Sequence, residues 1–198
     1  MARELGASIV LQGTIAADII ETAGGVKTQH NVLEQIGINP LEKYGFKIVE
    51  PLRELFKNQV RLVAKELGLP NEIVNRRPFP GPGLSIRILG EVDEEKLSII
   101  KSATLIVDEE LADIECFQAF PVLLEGRATG VSENSSRKYG YIIALRIVES
   151  EDALTAKYLR IDWSRLDRVR NRLLKEVPEV TRVLYDITDK PPATIEFE

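Results

Sequence analysis

The chain has 198 residues, enough for one domain or two small ones at the usual ~100–200 residues per domain. Hydrophobic residues at 44% and charged residues at 29% exclude a disordered or collagen-like chain, while one cysteine and one histidine exclude an internal disulfide and a multi-histidine metal site. The net charge of -5 is split, with +2 over residues 1–90 (11 Lys/Arg against 9 Asp/Glu) and -7 over 91–198 (15 against 22), a poor balance for nucleic-acid binding.

In chain order, a helix end at Arg3-Glu4-Leu5-Gly6 leads into a short buried strand, Ser8 to Gln12, so these residues open in mid-fold. Gly13-Thr14, the acidic pair Asp18 and Glu21, and a loop from Ala23 to about Gly45 follow. A second strand, Phe46 to Glu50, precedes Pro51. Leu52, Leu55, Phe56, Val60, Val63, Ala64 and Leu67 then recur at helical spacing up to Gly68, which predicts an amphipathic helix with a glycine stop. Pro78-Phe79-Pro80-Gly81-Pro82-Gly83 continues neither helix nor inner strand, and the domain boundary is expected here. Beyond it, Leu84 to Leu89 alternates as a strand. Asp93 to Ile114 reads as a long helix with Leu97, Ile100, Leu105, Val107 and Leu111 as its apolar positions. Phe117 to Leu124, Gly140 to Val148 and Val180 to Ile187 are expected strands, and Ser164 to Glu176 a helix capped by Asp162.

Several stretches carry chemistry, each with an ordinary structural alternative. The Pro/Gly loop is either a rigid linker or a loop where Gly81 and Gly83 let a ligand approach the backbone beside the forked donors of Arg76 and Arg77. Lys27-Thr28-Gln29-His30-Asn31 is either a solvated loop or a lid bringing a cation and an imidazole onto a phosphate. Asp18 and Glu21 share a helical face, as an exposed pair or as magnesium ligands. Arg53, Lys57 and Arg61 follow an i, i+4, i+8 spacing, a basic stripe for phosphates or for solvent. The tail from Asp186 is apolar, β-branched and stiffened by Pro191 and Pro192. It is expected as an edge strand, or as a strap over a ligand with Lys190, Thr194 and backbone amides as anion donors. Cys116 reads as a core thiol and Trp163 as packing. No apolar run reaches the ~18 residues needed to span a bilayer, and the N-terminus lacks a signal-peptide pattern, so a cytoplasmic location is expected, with no membrane or nucleic-acid partner.

Taken together, Gln12 to Ile15, Lys27 to Asn31, Glu50 to Arg53, Arg76 to Leu84, Phe117 to Phe120, Tyr139 to Tyr141 and Val183 to Glu198 resemble the C-terminal part of the GMP synthase family, the glutamine-dependent amidotransferases. The resemblance implies an α/β fold. Residues 1–75 are a partial parallel-sheet remnant of an ATP-pyrophosphatase domain with its lid loop, and 76–198 a small α+β dimerisation and substrate-binding domain. It implies a carbon–nitrogen ligase in which ATP adenylates O2 of xanthosine monophosphate and ammonia displaces the adenylate. Arg76, Gln118, Lys190, Ile195 and Glu196 match positions holding the nucleotide, with Gly13, Gly81 and Gly83 on the same substrate-binding side. Lys27 and His30 match the mobile lid, and Asp18, Glu21, Lys57 and Arg61 match positions lining the ATP site. ATP and Mg2+, a glutaminase subunit and a homodimeric partner follow by the same resemblance, with no metal-ligating side chains assigned.

The sequence also departs from the family. No Ser-Gly-Gly phosphate loop occurs in the 198 residues, and Gln29 stands where the lid usually has a first histidine. Asn58-Gln59 stands for Asp-Glu, and Ala17 for a proline. Backbone donors that cradle pyrophosphate are therefore expected from another chain, and little or no catalysis from this chain alone. The alternative is a non-catalytic module that binds a purine nucleotide or only dimerises.

Overall fold

The computed structural model describes residues 6–23, 37, 39–131 and 135–197. The expected helix end at residues 3–5 and the Lys27–Asn31 loop, with Lys27 and His30, lie outside the described residues. Two compact units result, one holding the described residues up to Arg76 with Glu151–Leu154, the other Arg77–Ser150 and the residues from Thr155 onward.

In the first unit, β1 (Ile9–Leu11) pairs in parallel with β2 (Lys47–Val49), Val10 opposite Ile48. Between them α1 (Ala16–Ala23) starts where the Asp18 carboxylate turns back to accept the Ile15 N–H at 2.9 Å. The short α2 (Pro40–Tyr44), inside the stretch expected as loop, has Asn39 as N-cap, Pro40 at its first turn and left-handed Gly45 as its stop, at φ +79°. The helix expected from Leu52 begins five residues later, as α3 (Lys57–Glu66), because Gln59 accepts the Phe56 N–H at 2.9 Å and Leu52–Leu55 close a turn instead. No residue of α3 is buried among the described residues, and Leu62 and Leu67 are 64% and 74% exposed. A short α4 (Asn71–Val74) completes the unit.

The second unit is a four-stranded sheet with two helices on one face. The expected strand Leu84–Leu89 is instead a 3-10 turn over Gly83–Arg87, because Gly83 has φ +78° and Ser85 Oγ donates to the Pro82 carbonyl at 3.0 Å. Ile88 alone bridges to a sheet strand, at Leu123. Helix α5 (Glu94–Glu110) begins at Asp93, which accepts the Lys96 N–H at 2.8 Å. Its buried face is Ile99, Ile100, Ala103, Ile106 and Val107, while Leu105, read as a core position, is 59% exposed.

Strands β3 (Gln118–Val131) and β4 (Arg137–Glu149) form an antiparallel ladder from Gln118 opposite Val148 to Val131 opposite Arg137. Both outrun their apolar stretches. The outer arm is polar on both faces and carries a register shift between Leu123 and Arg127, with Gly126 at φ +96°. Along the other edge of β4 lie β5 (Lys157–Tyr158), antiparallel, and β6 (Val180–Tyr185), parallel. Helix α6 (Trp163–Glu176) is capped by Asp162 through the Ser164 N–H at 2.9 Å, and Trp163 is exposed rather than packed.

Side chains alternate across the sheet. Ala119, Leu123, Ile143, Leu145 and Ile147 join α5 and α6 in the core. Gln118, Phe120, Val122, Ala144, Arg146 and Val148 are therefore on the opposite face, equally buried.

Candidate functional site

On that opposite face a fully buried guanidinium organises the tail. Arg146 of β4 donates from Nη2 to the Thr194 carbonyl at 2.8 Å and from Nε to the Ile195 carbonyl at 3.3 Å. Its Nη1 serves the Thr188 carbonyl and the Asp186 carboxylate, the latter at 3.1 Å. A buried cation costs free energy unless paired and fully bonded, so these acceptors are what the fold requires of its tail. The tail accordingly forms no strand. Its carbonyls turn inward to Arg146, and its one β-bridge among the described residues is Lys190 with Ala156, at 3.0 and 2.8 Å. Tyr158 N–H donates to Asp189 at 3.0 Å, and Thr188 N–H to Asp186 at 3.0 Å.

One residue beyond Ile195, Glu196 enters a buried cluster. Arg87, delivered by the 3-10 turn, meets its carboxylate with Nη2 at 3.1 Å and Nε at 3.3 Å. Gln118, the first residue of β3, donates Nε2 to the same carboxylate at 3.1 Å and to the Pro78 carbonyl at 2.9 Å. The Arg87 guanidinium stacks 4.1 Å from the Phe120 ring and 5.4 Å from that of Phe79. Charge-assisted two-point pairing makes this the most directional contact of the tail. Beside it, Leu124, Ala144, Leu184, Pro192, Thr194 and Phe197 help to line a cleft of about 610 Å³ with Asp186 at its polar side.

Of the expected substrate-side residues, Gln118, Ile195 and Glu196 thus come together, with Lys190 earlier on the same tail. Gly81 and Gly83 stand in the loop that precedes Arg87. A Cβ built on Gly13, Gly81 or Gly83 meets no protein atom within 4 Å, so at Gly13 and Gly81 no protein contact demands glycine, while Gly83 is required by its left-handed backbone. Arg77, read with Arg76 as a forked anion donor, is engaged on a helix end. Its Nη2 caps α5 at the Leu111 and Ile114 carbonyls, where a helix end carries partial negative charge. Burial pushes the Asp108 carboxyl of α5 up against the opposing pull of Arg77 and Arg87. Burial likewise raises the Cys116 thiol, which packs at the core's edge.

In the first unit Arg76 is exposed, and its carbonyl accepts Arg61 Nη2 at 3.2 Å. The basic stripe is broken, because Arg53 lies in the turn before α3, 3.8 Å from Glu50, leaving Lys57 and Arg61 one helical turn apart. Asp18 and Glu21 sit on α1, with Asp18 engaged in starting it. Among the described residues no group of three or more His, Cys, Asp or Glu could hold a metal ion. Asn58 and Gln59 accept the Gln59 and Phe56 N–H groups at 2.9 Å each, so the amides keep the helix start that carboxylates would also make. No helix among the described residues is long and apolar enough to cross a membrane.

Sequence reading missed Arg87, Arg146 and Asp186. The available signal was an arginine inside an apolar run, Ile86-Arg87-Ile88 and Ile142 to Val148, since charged residues so flanked are rarely buried without a partner.

Comparison with known proteins bears directly on this tail. Residues 106–197 match the family model described as the GMP synthase C terminal domain. The chain is 52% identical over its whole length to one of the subunits of the glutamine-hydrolysing GMP synthase of Pyrococcus furiosus, covering 62% of that protein. It is 51% and 53% identical to the equivalent GMP synthase subunits of Methanocaldococcus jannaschii and Archaeoglobus fulgidus, covering 63% of each. The chain thus spans somewhat under two thirds of the length of these relatives. Over its whole length the chain is thus similar to GMP synthase subunits, and the match to the family's C-terminal domain runs through the clamped tail and its sheet.

Proposed function

We propose that the chain is the C-terminal portion of a GMP synthase: it holds xanthosine monophosphate for ATP-dependent amination, with ammonia supplied by a glutaminase subunit. The observation that supports this best is the convergence of Gln118, Ile195 and Glu196 on one face through two buried arginines. In this reading the nucleotide is bound by Arg76, Gln118, Lys190, Ile195 and Glu196, with Gly13, Gly81 and Gly83 allowing close approach. Lys27 and His30 act from the lid, and Asp18, Glu21 and Lys57 face ATP. O2 of the base attacks the α-phosphorus of ATP and pyrophosphate leaves; ammonia then adds at C2 and AMP leaves, giving GMP. Backbone donors for the departing pyrophosphate come from residues outside this sequence, which has no Ser-Gly-Gly loop. The same reading makes residues 76–198 a dimerisation and substrate-binding domain, residues 1–75 part of an ATP-pyrophosphatase domain, and the setting cytoplasmic.

Calorimetric titration tests it. Xanthosine monophosphate is expected to bind the purified chain, and ATP with magnesium to bind weakly or not at all. If neither nucleotide binds, the alternative of a module that only dimerises replaces it; robust turnover by the chain alone overturns the need for outside residues.

A further inference from the structure

The Arg87 cluster assigns a role to a residue outside the set expected to touch substrate. We propose that Arg87 is a positioning residue for the nucleotide-holding tail, acting through Glu196. The inference rests on the reading above, that this tail holds a purine mononucleotide.

The geometry is that of a template rather than a surface ion pair. Arg87 is 4% exposed and Glu196 9%, and the guanidinium presents two N–H donors to the two carboxylate oxygens at 3.1 and 3.3 Å. Its plane is held by the rings of Phe120 and Phe79. A fork held in this way dictates the carboxylate's orientation, which a lysine ammonium, a point charge on a flexible stem, does not. Gln118 adds a third donor and, through Pro78, ties the carboxylate to the Pro/Gly loop.

Arg146 has a separate duty. It holds the backbone at Thr194 and Ile195, whatever Arg87 does. Losing Arg87 therefore frees the Glu196 side chain while the tail's path is kept. A carboxylate left with one amide donor in a buried site turns away toward water, because an under-bonded buried charge is costly. What is lost is the alignment of Glu196, and with Glu196 its contribution to nucleotide affinity.

The decisive experiment is a double-mutant cycle on the full chain, read by calorimetric titration with xanthosine monophosphate and, in parallel, by thermal melting. The proteins are wild type, Arg87→Met, Arg87→Lys, Glu196→Gln and the doubles. Arg87→Met is expected to weaken binding roughly ten- to a hundredfold, the scale of charge-assisted hydrogen bonds. Arg87→Lys is expected to recover much of the melting temperature but little of the affinity. In the Glu196→Gln background, either Arg87 substitution is expected to have almost no further effect, since residues acting as one unit are not additive. If Arg87 and Glu196 losses multiply, or Arg87→Met lowers only the melting temperature, the positioning role is wrong while the nucleotide reading stands. If wild type does not bind, or Glu196→Gln binds as well as wild type, the nucleotide reading of this tail falls and takes the inference with it. Should Arg87→Met not fold, the Arg87→Lys cycle gives the same comparison.

Discussion

Gly140 shows how much one missing atom can decide. A Cβ there would fall inside contact distance of the Glu179 carbonyl and 2.7 Å from Thr181 Cγ2, where β6 closes onto β4. Backbone on the opposing side cannot rotate away, so Gly140→Ala is expected to cost about 1–3 kcal/mol, read as a lower denaturation midpoint with an unchanged slope. Tyr185 carries the alkaline limit. Its hydroxyl donates to the Leu159 carbonyl, and burial pushes its pKa from 10.0 up to about 12. The fold favours the neutral phenol, so this contribution is complete below pH ~10 and is lost as pH rises toward 12. Tyr185→Phe is therefore expected to lose less stability between pH 9 and 12 than wild type; identical losses would show that another group sets that limit. Neither effect is legible in the sequence, where Gly140 sits in an ordinary strand pattern and Tyr185 ends another. Arg146, by contrast, could be flagged by its apolar flanks, though not the carbonyls it holds.

Helices α5 and α6 were legible as elements because their local signals agree: an aspartate cap, apolar periodicity and a polar outer face. Of the apolar positions read from periodicity, Ile100, Val107 and Leu111 are buried and Leu97 packs on the core, while Leu105 is exposed. The i, i+3, i+4 pattern of α5 admits two neighbouring faces, and contact with the sheet selects the one through Ile100 and Val107 over the one through Leu105. Ile100→Ala is expected to cost about 2–5 kcal/mol and Leu105→Ala less than about 0.5, a contrast measurable by urea denaturation. Comparable losses at the two positions would reinstate Leu105 as a core position. Ion pairs also tie α6 to the end of α5 and the turn after it, Arg172 to Glu110 at 3.1 Å and Arg165 to Asp113. Arg165 holds the Asp113 carboxyl below its ordinary range, and Arg172 does the same to Glu176. A depressed pKa means stabilisation present above the ordinary carboxylate value and lost as pH falls below it, so these pairs contribute to acid sensitivity. The 3-10 turn at Gly83–Arg87 was the main misreading, since alternation alone does not see a left-handed glycine forcing the chain to coil.

At the scale of the whole molecule, the apolar core of α5, α6 and the four-stranded sheet lies entirely within the second unit. A fragment of residues 77–198 is therefore expected to melt in one cooperative transition with its near-ultraviolet signal intact; a fragment lacking fixed tertiary signal would mean that the core needs residues before it. The first unit contrasts with this, since Leu11, Leu62 and Leu67 are exposed and α3 buries nothing among the described residues. The sequence by itself determined α5 and α6 with their aspartate caps, most strands, and the resemblance carried by the Pro/Gly loop and the tail, because those signals are local in the chain. Only the tertiary structure decided that Leu105 lies outside the core, the coiling of Gly83–Arg87, and the capture of Glu196 by Arg87 and of the tail by Arg146. A buried charge is tolerated or not according to partners up to 109 residues away in the chain, and separation along the chain is what local pattern cannot read.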